Sequence, residues 1–156
     1  MKSRNKEPIA VVPDSVDSGF LKTLVGYNTR RATLRIMDVF AQRMGPLELN
    51  EVEFSILSLI GRNPGLTPTQ LCNELGLLPP NLTKLLARLD KRALLSRRVP
   101  ADKRAVSLSL SPAGQALLAQ AEATAVALEL EASSALTSRQ RATLVTLLQK
   151  VYSPQG

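Results

Sequence analysis

The chain has 156 residues, 44% hydrophobic and 21% charged, with a formal net charge of +7, as expected of one globular domain with an extension. With no histidine and one cysteine, it can build no Ser-His-Asp or Cys-His catalytic set, no imidazole- or cysteine-cluster metal site and no internal disulfide, and the lone thiol fits a reducing cytoplasm. Apolar runs of a few residues cross no membrane, no secretory signal opens the chain, and aromatics at 3% argue against stacking on single-stranded bases.

Residues 1–17 mix charge, proline and β-branched side chains without periodicity and are expected to form a flexible arm. From Ser18 to Met44 the pattern is helical, with Phe20, Leu24, Tyr27 and Leu34 along one side and Ile36, Val39 and Phe40 on another. Gly45-Pro46 stops it. A helix apolar on two sides needs two partners, its own core and a second subunit. Asn50 opens the next helix with a capping box to Glu53, and Leu49 and Phe54 stand at staple spacing across that entry. This helix ends near Gly61, before the turn Asn63-Pro64-Gly65. Thr67, Pro68 and Gln70 open a short third helix that Gly76 stops, and only Leu77 and Leu78 precede Pro79-Pro80. Two short helices across a tight glycine turn make a helix-turn-helix pattern.

The helix over residues 80–93 carries Leu82, Leu85, Leu86, Leu89 and Ala93 at core spacing, with Asn81, Lys84, Arg88, Lys91 and Arg92 on the opposite stripe. Between Lys84 and Arg104 stand eight basic residues and two acids, a net +6 within 21 residues, so nearly all the chain's net charge lies here. Such a field fits a phosphate backbone, and an amide with cations on one helix stripe suits a major groove; an ordinary solvated face is the alternative. Residues 96–99 and 104–110 read as strands, Val106, Leu108 and Leu110 alternating with serines, joined by a turn at residues 100–103. This hairpin is a wing whose Arg104 suits the negative potential of a minor groove. Asp102 either holds Arg104 by a charge-assisted hydrogen bond or is a plain turn aspartate.

Ser111-Pro112 opens a long helix of roughly 24 residues, about 36 Å, apolar at Leu117, Leu118, Ala121, Ala125, Leu128 and Ala135. Thr137 and Gln140 open a last helix bearing Leu144, Leu147, Leu148 and Val151. These helices outreach a compact winged unit and are expected to pack on a second copy. The expected fold is mainly α with a small β-wing: a winged helix-turn-helix over residues 46–110, flanked by dimerisation helices over residues 18–45 and 111–152.

Leu75-Gly76-Leu77, Thr83-Lys84-Leu85, Arg88-Leu89, Lys91-Arg92 and Leu94-Leu95, in that order, resemble the MarR (multiple-antibiotic-resistance regulator) family. So does the wing stretch from Asp102-Lys103-Arg104 through Ser111-Pro112-Ala113-Gly114. The resemblance covers about residues 20–150. Ala93 departs from the glycine that ends the recognition helix in many relatives, and Leu78 from a polar cap. The resemblance implies a homodimeric regulator, more often a repressor than an activator, that binds pseudo-palindromic double-stranded DNA and is released by a small aromatic or acidic effector. Its DNA-binding set here is Asn81, Thr83, Lys84 and Arg88 on the helix with Arg97, Asp102, Lys103 and Arg104 in the hairpin.

The resemblance also implies an effector pocket beside the first helix, where Tyr27, Arg30 and Arg31 are the candidate ligand residues for an aromatic acid or its coenzyme A thioester. Adjacent arginines in a helix expected to be buried can bind a carboxylate or phosphate, or else reach solvent or a partner's carboxylates. Cys72 is expected to face the core. No catalytic residue, cofactor or metal ligand is implied. The other reading of the chain is a winged-helix protein-interaction or RNA-associated module without operator specificity.

Overall fold

The computed structural model describes residues 16–98 and 106–153. The expected arm, save its last two residues, and the wing residues Asp102, Lys103 and Arg104 lie outside them. The elements are α1 (Gly19–Lys22), α2 (Val25–Met44), a 3₁₀ turn (Gly45–Leu47), α3 (Glu51–Arg62), α4 (Pro68–Leu75), α5 (Pro79–Lys91), β1 (Leu95–Arg98), β2 (Ser107–Leu110), α6 (Pro112–Ala132) and α7 (Ser138–Tyr152). The fold is therefore mainly α with one small antiparallel sheet, as expected. No helix among the described residues is long and apolar enough to cross a membrane.

The chain divides into two units, Met1–Thr33 and Leu34–Gly156. In the first, the single helix expected from Ser18 is broken at Thr23 and Leu24. Local side chains capture the carbonyls there: Thr23 Oγ1 donates to Phe20 O at 2.7 Å, and Asn28 Nδ2 donates to Lys22 O and Leu24 O, each at 2.8 Å. Such bonds compete with helix continuation.

In the second unit, α3 runs through the middle of the core, with Ile56, Leu57 and Ile60 wholly buried. Around it pack Val39, Phe40 and Met44 from the end of α2, Leu71 of α4, Leu82, Leu86 and Leu89 of α5, Leu108 of β2, and Leu118, Ala121 and Leu128 of α6. The start of α3 is the expected capping box, with Glu53 N donating to Asn50 Oδ1 at 2.8 Å and Asn50 N to Glu53 Oε2 at 3.2 Å. Thr67 with Gln70 and Thr137 with Gln140 cap α4 and α7 in the same way. Gly76 ends α4 at φ 62, a left-handed conformation that costs glycine nothing.

Two expectations for α5 need correction. It starts one residue early, at Pro79, and it stops at Lys91, so Ala93 lies outside the helix and is exposed instead of in the core. Ala93 takes φ 54 and closes a Schellman turn, its N–H on Asp90 O at 2.8 Å and that of Leu94 on Leu89 O at 3.1 Å. An alanine thus holds the conformation that a glycine favours, and the turn into the wing survives.

The wing strands pair Leu95 with Leu110 through Arg98 with Ser107, so β1 begins one residue before its expected start. The other edge of β2 is also occupied: Leu108 N donates to Leu66 O at 2.8 Å and Gly65 N to Leu108 O at 2.7 Å. The base of the wing is therefore fastened to the turn before α4. Ser111 then ties the turn after α5 to the start of α6, donating its N–H to Leu94 O at 3.0 Å and its hydroxyl to Ala93 O at 2.7 Å, while accepting Gly114 N at 3.0 Å. α6 has 21 residues, about 32 Å, shorter than expected. Ala135 falls in the following turn, where Arg141 donates to Ser133 Oγ at 2.7 Å and to Leu136 O at 3.3 Å. α7 buries none of its residues; Leu144, Val145, Leu147, Leu148, Val151 and Tyr152 are all exposed.

Candidate nucleic-acid interface

α5 owes its orientation to its apolar spacing. Leu82, Leu86 and Leu89 are buried, Leu85 is half-buried, and Asn81, Thr83, Lys84, Arg88 and Lys91 are exposed on other faces. The helix is anchored through one stripe and offers an amide, a hydroxyl and three cations on the rest. Thr83 Oγ1 donates to Pro79 O at 2.9 Å, which fixes its rotamer and leaves its lone pairs to accept.

The cations are not equivalent. Arg88 places Nε 3.1 Å from Oε1 of Glu53, which is 1% exposed, while its own side chain is 63% exposed. Arg97, at the root of the wing, is held by Asp90 near the end of α5: Nε lies 3.1 Å from Oδ2, and Nη2 donates to the same oxygen. Arg92, expected on the outer stripe, turns back instead. Its Nη1 and Nη2 donate to Glu48 O at 2.7 Å and Leu47 O at 2.9 Å, because the chain before α3 presents two carbonyls there. Lys84, Lys91 and Arg98 are exposed and have no acidic partner among the described residues. Among the described residues, six of the eight cations of the basic run thus resolve into three braced arginines and three without an acidic partner.

Of the eight expected DNA-binding residues, the structure places Asn81, Thr83, Lys84 and Arg88 on α5 and Arg97 on β1, tied to α5 through Asp90. Asp102, Lys103 and Arg104 lie outside the described residues. Glu53 and Asp90 were not expected as parts of the interface, and Arg92, expected on its outer stripe, is drawn away from it. Glu53 carried only a capping signal, and nothing local marks its partner on another helix. Beside α5, a cavity of about 320 Å³ is lined by Thr69, Cys72, Leu77, Thr83, Leu86 and Arg97 among others. Cys72 is half-buried at its wall and packs against the core, the side it was expected to face.

In the first unit, Tyr27 is half-buried and Arg30 and Arg31 are exposed. Their expected burial is not met, since α2 buries only Val39, Phe40 and Met44 near its C-terminal end. Neither arginine has an acidic partner among the described residues. No group of three or more Cys, Asp or Glu among the described residues is placed to hold a metal ion.

The sequence profile of the MarR family matches residues 47–105. The structure is similar to that of the transcriptional repressor CouR bound to a 23-mer DNA duplex, with a TM-score of 0.83 and 31% identity, covering 88% of this chain and 98% of that one. It is also similar to CouR bound to p-coumaroyl-CoA, with a TM-score of 0.80 and 30% identity over 90% of this chain and all of that one (100%). The HTH-type transcriptional repressor Rv2887 of Mycobacterium tuberculosis is 25% identical over 130 residues, 83% of this chain and 94% of the relative. Its complex with p-aminosalicylic acid superposes with a TM-score of 0.69, covering 83% of this chain and 99% of that one.

Proposed function

Since the chain belongs to the MarR family of winged-helix transcription regulators, we propose that it is a dimeric repressor that grips a two-fold duplex and releases it when a small acidic aromatic ligand binds. The observation that carries this reading is the division of α5 into a buried leucine stripe and an exposed Asn81, Thr83, Lys84 and Arg88. Helix side chains read base edges in the major groove, the open cations neutralise phosphates, and Arg104, held by Asp102, extends the contact with Lys103 into the flanking groove. Dimerisation is supported by the apolar side chains of α7 that the single chain leaves exposed, and by those of residues 20–34. On this reading residues 18–45 and 111–152 pair two copies around winged units over residues 46–110, in line with the two-fold symmetry of most such readers.

The candidate effector residues are Tyr27, Arg30 and Arg31. Two exposed guanidinium groups without an acidic partner among the described residues, beside a tyrosine, suit an aromatic compound that carries carboxylate or phosphate groups. The ligands named for CouR and Rv2887 are of this kind. The cavity shared by Cys72, Thr83 and Arg97 supports a second seat, since it touches two residues of the DNA-binding set. Selection from a random duplex pool by the purified protein tests the whole reading. Enrichment of an inverted repeat with half-sites one helical turn apart is the expected result, with binding that falls steeply as salt rises. Recovery of unrelated sequences at random-pool frequency would leave only an interaction or RNA-associated module.

A further inference from the structure

We propose that Glu53 is a positioning residue for DNA readout, whose carboxylate fixes Arg88 in the orientation that meets the duplex. This rests on the DNA-binding reading above and assigns a role within it that capping does not require. The described residues contain three capping boxes, and at the two others the reciprocal residue is a neutral amide, Gln70 or Gln140. Each of those amides accepts the cap N–H at 2.9 Å, closer than the 3.2 Å that Glu53 achieves. A glutamine is therefore sufficient for the cap.

The charge of Glu53 must answer to something else, because its side chain is 1% exposed and a buried carboxylate without a cation is strongly disfavoured. One oxygen serves Asn50 and the other meets Arg88 Nε at 3.1 Å. Arg88 comes from the reading face of α5, 63% exposed. The contact is an ion pair through Nε, and the four N–H donors on the two Nη nitrogens remain for a guanine edge or a phosphate. A long side chain normally loses rotamer freedom when it binds. Here the ion pair has removed much of that freedom in advance.

Glu53→Gln separates the two tasks. The amide oxygen can keep the Asn50 cap while loss of the charge removes the attraction that holds the Arg88 guanidinium, so Arg88 is released with almost no change in side-chain volume. The probe is a duplex that the parent protein enriches from a random pool, with a scrambled duplex as reference. Glu53→Gln is expected to weaken binding to the enriched duplex about 10-fold, the value of a good directional contact, and binding to the scrambled one by less than about 2-fold. In an Arg88→Ala background the same change should have no further effect, a non-additivity that loss of structure alone would not produce. Arg88→Lys, an exposed substitution that keeps the charge and removes the fork, should lose a similar share of the discrimination. Equal binding by the parent and Glu53→Gln, equal losses with and without Arg88, or full discrimination by Arg88→Lys would each overturn the proposal while the DNA-binding reading stands. A parent protein that enriches no duplex removes that reading, and this role with it.

Discussion

Gly114, the third residue of α6, has the closest surroundings of the described glycines. A Cβ built there would lie 2.1 Å from Leu94 O and 3.1 Å from Leu94 C. Carbon approaches a carbonyl oxygen to about 3.3 Å at best, so Gly114→Ala requires a local displacement of about 1 Å. The obstacle is backbone, and it is pinned: Leu94 O accepts the Ser111 N–H at 3.0 Å, and Leu94 N closes the turn that ends α5. Overpacking that moves backbone costs about 1–3 kcal/mol. The pinned carbonyl puts this site at the upper end, and alanine's better helix propensity returns less than about 1 kcal/mol. The net expectation is a loss of about 2 kcal/mol, a fall in Tm of about 4–8 °C. Thermal unfolding followed by far-UV circular dichroism, at one protein concentration because dimerisation shifts Tm, measures it. Gly61 supplies the contrast. Its Cβ would meet Leu118 Cδ2 at 2.4 Å and Leu110 Cδ1 at 3.2 Å, both side-chain ends that can rotate away, so Gly61→Ala should cost less. A Gly114→Ala protein that melts at or above the parent temperature, or no lower than Gly61→Ala, would show that the contact at Leu94 does not constrain the wing root.

Ala93→Gly should stabilise the protein by about 1 kcal/mol in chemical denaturation, because Ala93 holds φ 54 and the left-handed region costs an L-residue about 1–2 kcal/mol. Arg92→Ala should destabilise by about 1.5–3 kcal/mol in the same assay, since the carbonyls of Leu47 and Glu48 lose charged donors at a 29% exposed side chain; Arg92→Lys, which has no fork, should recover only part. Asp90→Asn should leave stability within about 1 kcal/mol, the pair being 41% and 34% exposed, but should free Arg97 for phosphate. The slope of log K against log salt for a scrambled duplex should then steepen by about 0.9. On the proposed dimer, removing residues 137–156 should yield a monomer by sedimentation, with the affinity for an enriched duplex falling sharply, because the apolar face of α7 that pairs the two copies is gone.

Helix starts were readable because a cap and its partner sit three residues apart: Asn50 with Glu53, Thr67 with Gln70 and Thr137 with Gln140 all formed as their spacing implied. The leucine stripe of α5 was readable for a similar reason, since a helix repeats its faces every 3.6 residues wherever it lies. The break at Thr23 and Leu24 escaped because an apolar pattern does not register side chains such as Thr23 and Asn28 diverting carbonyls from the helix ladder.

What the linear pattern could not supply was the use to which each cation is put. Arg88, Arg92 and Arg97 look alike in a basic run, yet the fold sets them against Glu53, the carbonyls of Leu47 and Glu48, and Asp90. Arg92 reaches its acceptors across 44 and 45 residues of chain. Charge and periodicity are properties of a segment. An ion pair between segments exists only where packing has already brought two helices within hydrogen-bond reach.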